Sequence, residues 1–271
     1  AKRRKRQAYR DKWYPKTLWS GGVYYTFNSN ANAAKTVFRK AALLWQNLTC
    51  IKFTEDRNGM EKSKTFDLQL NNIHFVQIGT AAHEIAHALG FFHMQSRCDH
   101  DDFIKLHWEN FKADWPPEFS QQTNHTNYNY NLTYDYGDYE GVMHYGATGF
   151  CLKNGKPVVV PYDTKYLQTL ESPMVSFYEI LMMKLHYKCF DKCNESSSEK
   201  CQNGGFSHPR NCSKCICPNG YGGNLCNERP SGCDKILTAT NSYRTLEDFV
   251  GERGSLYGMV EFKMCNYWIK V

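Results

Sequence analysis

Apolar side chains fall into short alternations and a few three-and-four spacings, and these two periods divide the chain into elements. Val23, Tyr25 and Phe27 alternate with polar neighbours, which predicts a strand. Ala34, Phe38, Ala41, Trp45 and Leu48 recur three and four residues apart, the stripe of an amphipathic helix packed on a sheet. Ile51 and Phe53 begin a second strand, and Phe66, Leu68 and Leu70 alternate in a third. A short helix is predicted around Phe177–His186. The Asn- and Tyr-rich stretch 124–139 reads as a surface segment. No apolar run approaches the length of a bilayer span, so no membrane crossing is expected.

One polar pattern is superimposed on this periodicity. Residues 83–93 read His83-Glu84-Ile85-Ala86-His87-Ala88-Leu89-Gly90-Phe91-Phe92-His93. Residues four apart share a helix face, so His83 and His87 can bind one ion from the same side, with Glu84 beside them to reach the attacking water. Gly90 lets the chain leave the helix in a backbone conformation that other residues resist, and the turn brings round His93. Random order would give the whole pattern with a chance of about one in twenty thousand. Three imidazoles plus an open position describe a catalytic zinc, one per chain, whereas structural zinc closes its shell with four protein ligands.

A second motif lies fifty residues on. Gly141-Val142-Met143-His144-Tyr145-Gly146 resembles the Met-turn beneath the zinc of metzincin proteases, with Met143 at its centre. Met-His-Tyr following the extended zinc motif resembles the astacin family. Gly79-Thr80-Ala81, Gln95-Ser96-Arg97-x-Asp99, Leu18-Trp19-Ser20-Gly21-Gly22-Val23 and Thr49-Cys50-Ile51-Lys52-Phe53 resemble it too, in the nematode style. The resemblance covers about residues 18–190. It implies an α+β fold of the metzincin (zincin-like) kind: two subdomains with the zinc helix in the cleft between them, and a peptidase activity. In that activity Glu84 is the general base. Tyr145 is an additional zinc ligand that moves off to donate a hydrogen bond to the oxyanion.

Cysteine usage points to the secretory pathway. Twelve cysteines in 271 residues, an even number, fit an oxidising compartment. Sequons begin at Asn47, Asn124, Asn131, Asn194 and Asn211, each a candidate for N-glycosylation. The formal charge of +6 does not indicate nucleic acid, because residues 1–16 carry eight Lys/Arg and one Asp and leave about −1 for the rest. Arg3-Arg4-Lys5-Arg6 fits the target of a secretory processing protease. Residues 1–6 are accordingly read as the remnant of a propeptide, with Gln7 as mature start and the signal peptide and inhibitory segment upstream.

Residues 7–190 form the expected protease domain, and smaller modules follow. Cys193, Cys201, Cys212, Cys215, Cys217 and Cys226, with Pro218-x-Gly220-Tyr221-Gly222-Gly223, resemble an EGF-like module over 191–229. So few residues bury little core, and disulfides must supply the stability. The resemblance implies the pairs Cys193–Cys212, Cys201–Cys215 and Cys217–Cys226. Cys233 and Cys265, the latter before Asn266-Tyr267-Trp268-Ile269, resemble the opening of a CUB domain, read as an incomplete β segment over 230–271 with Cys233–Cys265 paired. In the protease part the family bridge implies Cys50–Cys189, and parity then leaves Cys98 with Cys151.

Two departures from the family pattern bear on activity. Astacins have a Glu directly after the third histidine, where it meets the buried mature N-terminus; here that position is Met94. Between Cys50 and His83 the chain is also shorter than usual, so a cysteine pair and a strand along the cleft's upper rim are missing from the pattern. The sequence therefore supports a secreted zinc endopeptidase acting on extracellular proteins or peptides. Its alternative is a catalytically impaired relative that works as a binding protein through its EGF and CUB modules.

Overall fold

A computed structural model describes residues 8–27, 31–56, 77–113, 119–122, 127–128, 139–148, 152–189, 193, 200–232, 235–250 and 264–271. The chain divides into two compact units, residues 1–189 and 190–271.

In the first unit, β1 (Ala8–Tyr9) pairs antiparallel with β5 (Asn127–Tyr128). The predicted first strand is β2 (Val23–Tyr25), joined in parallel to β3 (Phe53–Glu55) with Val23 opposite Phe53. It stops two residues short of Phe27, whose ring instead packs edge-on against Phe38 at 5.6 Å. The alternation thus reports burial on one side rather than continued strand pairing. The strand expected at Phe66–Leu70 lies outside the described residues. β4 (Ile104–Leu106) and β6 (Val159–Pro161) form a further antiparallel pair.

Three helices organise the core. α1 (Asn32–Leu48) carries the predicted stripe, and its Phe38, Ala41, Ala42 and Trp45 are buried. α2 (Ile78–Ala88) presents Ala81, Ala82, Ile85 and Ala86 to it. Small alanines let the helix backbones come close, and the Trp45 indole N–H donates to the Ala82 carbonyl at 2.9 Å, which satisfies the one polar atom of a fully buried ring. α3 (Phe177–His186) adds Met182 and Met183 to the same cluster. Its first turn is a capping box: Ser176 Oγ accepts from the Glu179 N–H, and the Glu179 carboxylate accepts from the Ser176 N–H. A second cluster, with Met94, Ile104, Phe119, Val158 and Val159 at its centre, lies beyond the turn that follows α2. Met94 is fully buried there, so the position where the family carries a Glu serves as apolar core. A disulfide joins Cys50 to Cys189, closing the unit from the end of α1 to just beyond α3.

The second unit is built on a hairpin. β7 (Phe206–His208) pairs antiparallel with β8 (Asn211–Ile216), and disulfides Cys193–Cys212, Cys201–Cys215 and Cys217–Cys226 surround it. Among the described residues Phe206, Pro209, Ile216 and Cys226 are buried there, a very small core held by covalent links. β9 (Ile236–Thr238) and β10 (Trp268–Lys270) run parallel, and the Trp268 indole N–H donates to the Gly220 carbonyl at 2.8 Å. Cys265 is disulfide-bonded, while Cys233 and Cys151 lie outside the described residues. Among the described residues no helix is long and apolar enough to cross a membrane.

Candidate metal centre

The end of α2 is where the site is made. Leu89 closes the helix, and Gly90 follows at φ 99°, a left-handed conformation that favours glycine. The carbonyls left open there find donors elsewhere: Ala88 from the Trp19 indole at 2.8 Å, Leu89 from the Tyr187 hydroxyl at 3.1 Å and Gly90 from the Tyr9 N–H at 2.7 Å. The chain emerging from Gly90 carries His93 back across the helix.

His83, His87 and His93 converge so that one nitrogen from each lies within 4.8 Å of the others. The Nε2 of His93 stands 3.1 Å from that of His83 and 3.0 Å from that of His87. The far sides of two rings are anchored. His83 Nδ1 bonds to the Val142 carbonyl at 2.6 Å, and His87 Nδ1 to the Phe91 carbonyl at 2.7 Å. A carbonyl only accepts, so each Nδ1 carries the proton and each Nε2 turns its lone pair inward. Burial and the neighbouring His87 hold His83 down at about 4, and burial, with His87 and His83 beside it, holds His93 at about 2. Neutral imidazoles with converging lone pairs are what a borderline divalent cation such as zinc requires, and the donor set fits it.

Glu84 and Tyr145 border the same space. Both line a pocket of about 320 Å³ together with His83 and with residues 171–173. The Tyr145 ring lies 4.3 Å from that of His93 and stacks at 6.4 Å on that of His83. Met143 is fully buried, and its carbonyl accepts from the Met94 N–H at 2.8 Å, tying the turn after His93 to the segment that carries Tyr145. His144 next to it is buried and held down at about 4 by that burial. Of the sequon residues, Asn47 on α1 and Asn211 on β8 are exposed, whereas Asn124, Asn131 and Asn194 lie outside the described residues.

Two carboxylates escaped the sequence reading. Glu179 is fully buried and accepts from the N–H of Met143 at 2.8 Å, of Val142 at 3.3 Å and of Ser176 at 2.7 Å. It approaches so closely because residue 141 is glycine: a Cβ there would stand 2.4 Å from Glu179 Oε1. The Ser176-x-x-Glu179 spacing is that of a helix start and carries no sign of this reach across the fold. Glu171 has a left-handed backbone at φ 65°, and its carboxyl is raised by partial burial. The Tyr145 N–H in turn donates to Gln95 Oε1 at 3.1 Å.

Fold and donor set together place the chain among the zincin-like metallopeptidases. The family model for astacin, a peptidase family, matches residues 70–188. The zinc metalloproteinase nas-31 of Caenorhabditis elegans is 42% identical over 286 residues, which cover 100% of this chain and 46% of that protein. For nas-25 of the same organism the identity is 32% over 291 residues, covering 99% of this chain and 70% of the relative. Among solved structures, high choriolytic enzyme 1, a hatching enzyme zinc-protease from the medaka Oryzias latipes, aligns with a TM-score of 0.56. Its identity is 24%, over 66% of this chain and 98% of its own, and it supports the fold. The chain belongs to the astacin family. It spans about half the length of nas-31 and nas-29, at 46% and 53%.

Proposed function

We propose that the chain is a secreted zinc endopeptidase that hydrolyses extracellular proteins or peptides. The observation that carries this reading is the pair of bonds from His83 and His87 Nδ1 to backbone carbonyls, which turn their two Nε2 lone pairs towards the Nε2 of His93. His83, His87 and His93 would hold a zinc ion, with Tyr145 as an additional ligand, and the ion would supply a Lewis acid for the scissile carbonyl and the attacking water. Glu84 takes the proton of the attacking water and returns it to the leaving amine. The Tyr145 hydroxyl donates to the oxyanion, and Met143 underlies the three imidazoles.

Residues 1–6 are proposed as a propeptide remnant, and Asn47 and Asn211 as exposed glycosylation sites. Residues 191–229 are proposed as an EGF-like module and 230–271 as the start of a CUB domain, surfaces suited to protein partners. The remaining pairs Cys98–Cys151 and Cys233–Cys265 belong to the same proposal. The short segment between Cys50 and His83 is proposed to leave the cleft with a reduced rim. An extended substrate that loses three or four main-chain hydrogen bonds binds roughly two to three orders of magnitude more weakly, so short, flexible peptides are favoured.

Zinc content and azocasein cleavage, wild type against Glu84→Ala, test the reading. One zinc per chain in both proteins, with turnover in the wild type alone and lost to 1,10-phenanthroline, is the expected result. A metal-free preparation that still cleaves would overturn it, and a zinc-loaded wild type that cleaves nothing would leave a binding protein.

A further inference from the structure

The pocket that shares His83, Glu84 and Tyr145 with the reacting centre has an acidic wall that the hydrolytic chemistry does not use. Glu171, Ser172 and Pro173 line it from the segment before α3. Two glycines let that segment close in. A Cβ on Gly79, in the first turn of α2, would stand 2.3 Å from the Pro173 carbonyl oxygen, and one on Gly146 would stand 2.2 Å from Glu171 Oε2. Segment 171–173 is thus seated directly on backbone at both ends, and the Glu171 carboxylate rests against the α-carbon of the residue after Tyr145. Glu171 pays for this position with a left-handed backbone at φ 65°, which a residue with a side chain seldom adopts. Such strain persists where the surroundings enforce it, and it clusters at functional sites.

The charge balance of the pocket is one-sided. Among the described residues that line it, none is Lys or Arg. Glu84 is committed to the proton of the attacking water, so Glu171 is the acid left to meet a substrate side chain. We propose that Glu171 makes this pocket selective for a lysine or arginine side chain flanking the scissile bond. The proposal rests on the endopeptidase reading and assigns its substrate class. An acidic side chain would face the Glu171 carboxylate with no basic side chain among the described lining residues, whereas a guanidinium or ammonium would find a charge-assisted partner.

Two measurements on the zinc-loaded full chain test it. The first uses three peptide hydroxamates that differ only in carrying Lys, Leu or Glu as the side chain next to the hydroxamate, and it reads affinity without turnover. The Lys compound is expected to bind the wild type about tenfold more tightly than the Leu compound, and the Glu compound more weakly than either. In Glu171→Gln the Lys advantage should vanish, and in Glu171→Lys the Glu compound should become the preferred ligand. Both replacements leave the backbone burden at φ 65° as it was, so zinc content and melting temperature should stay near wild type. The second measurement profiles cleavage of a peptide library, where basic residues should dominate one position beside the cut. A wild type that binds Lys no better than Leu overturns the proposal, and so does a preference that survives in Glu171→Gln. Cleavage without a basic preference defeats the selectivity alone, whereas a Lys preference in binding without any cleavage defeats the endopeptidase reading alone.

Discussion

Replacing Glu179 by glutamine should loosen the metal centre from a distance. The carboxylate takes the Met143 N–H at 2.8 Å on Oε1, and the N–H groups of Ser176 at 2.7 Å and Val142 at 3.3 Å on Oε2. An amide keeps one accepting oxygen, so its NH₂ must face at least one buried N–H. The cheaper orientation keeps the oxygen facing Ser176 and Val142 and leaves the Met143 N–H unsatisfied, a loss of about 1–3 kcal/mol in folding stability. The Met143 N–H then loses its tether, and the Val142 carbonyl of the same peptide group is what orients His83 through the 2.6 Å bond to Nδ1. Disturbing such a support to a metal-binding imidazole lowers affinity by about 10- to 100-fold. Denaturant unfolding of the metal-free protein reads the first effect, and competition with a chromophoric chelator reads the second. Ser176→Ala is the control, since it removes the cap to the Glu179 N–H at 3.1 Å but leaves the bonds to 142 and 143. It should cost about 1 kcal/mol and leave zinc affinity alone. Wild-type zinc affinity in Glu179→Gln, or an equal loss in Ser176→Ala, would refute the reasoning.

Tyr145→Phe should retain zinc, because three imidazoles suffice, and lose about 10²-fold in kcat on a peptide substrate; an unchanged kcat removes its oxyanion role. His186 is buried and held down at about 4 by that burial, with Arg10 adding to the effect. The unfolded chain therefore takes up its proton near pH 6.5 and the folded one only near 4, so stability falls as pH drops through that window, by an upper limit of about 3 kcal/mol. Melting temperature measured across the window should show this slope, and His186→Asn should make it shallower, the other buried histidines keeping the rest. Replacing both Cys50 and Cys189 by serine opens a bridge across a sequence separation of 139. The unfolded chain then gains entropy worth about 5 kcal/mol, and a denaturation midpoint close to wild type would contradict that account.

What could be read from the sequence is what short-range physics dictates. The stripe from Ala34 to Leu48 is amphipathic because one face of α1 meets α2, and the observed helix runs Asn32–Leu48. Gly90 betrays the turn after α2 because few other residues accept φ 99°. The spacing of His83, His87 and His93 carries its own geometry. Phe27 misled because alternation records which side is buried, not where pairing stops. Glu179 and Glu171 were hidden for a different reason. One reaches residues 142–143 across the core and the other rests on Gly146, and no local pattern encodes which backbone atoms a distant carboxylate will find.

The donors that close the end of α2 come from opposite ends of the first unit. Tyr9 lies near its start and Tyr187 near its finish, with Trp19 between them, and all three meet the carbonyls of Ala88, Leu89 and Gly90. A chain leaving the ribosome has already exposed His83, His87 and His93 while Tyr187 is still about a hundred residues from synthesis. Until that residue arrives, the turn that presents His93 is held from one side only. Assembly of the three imidazoles is therefore a late event, coupled to completion of the whole unit. Zinc captured at that stage would be captured by a finished domain, not by a nascent strand of histidines.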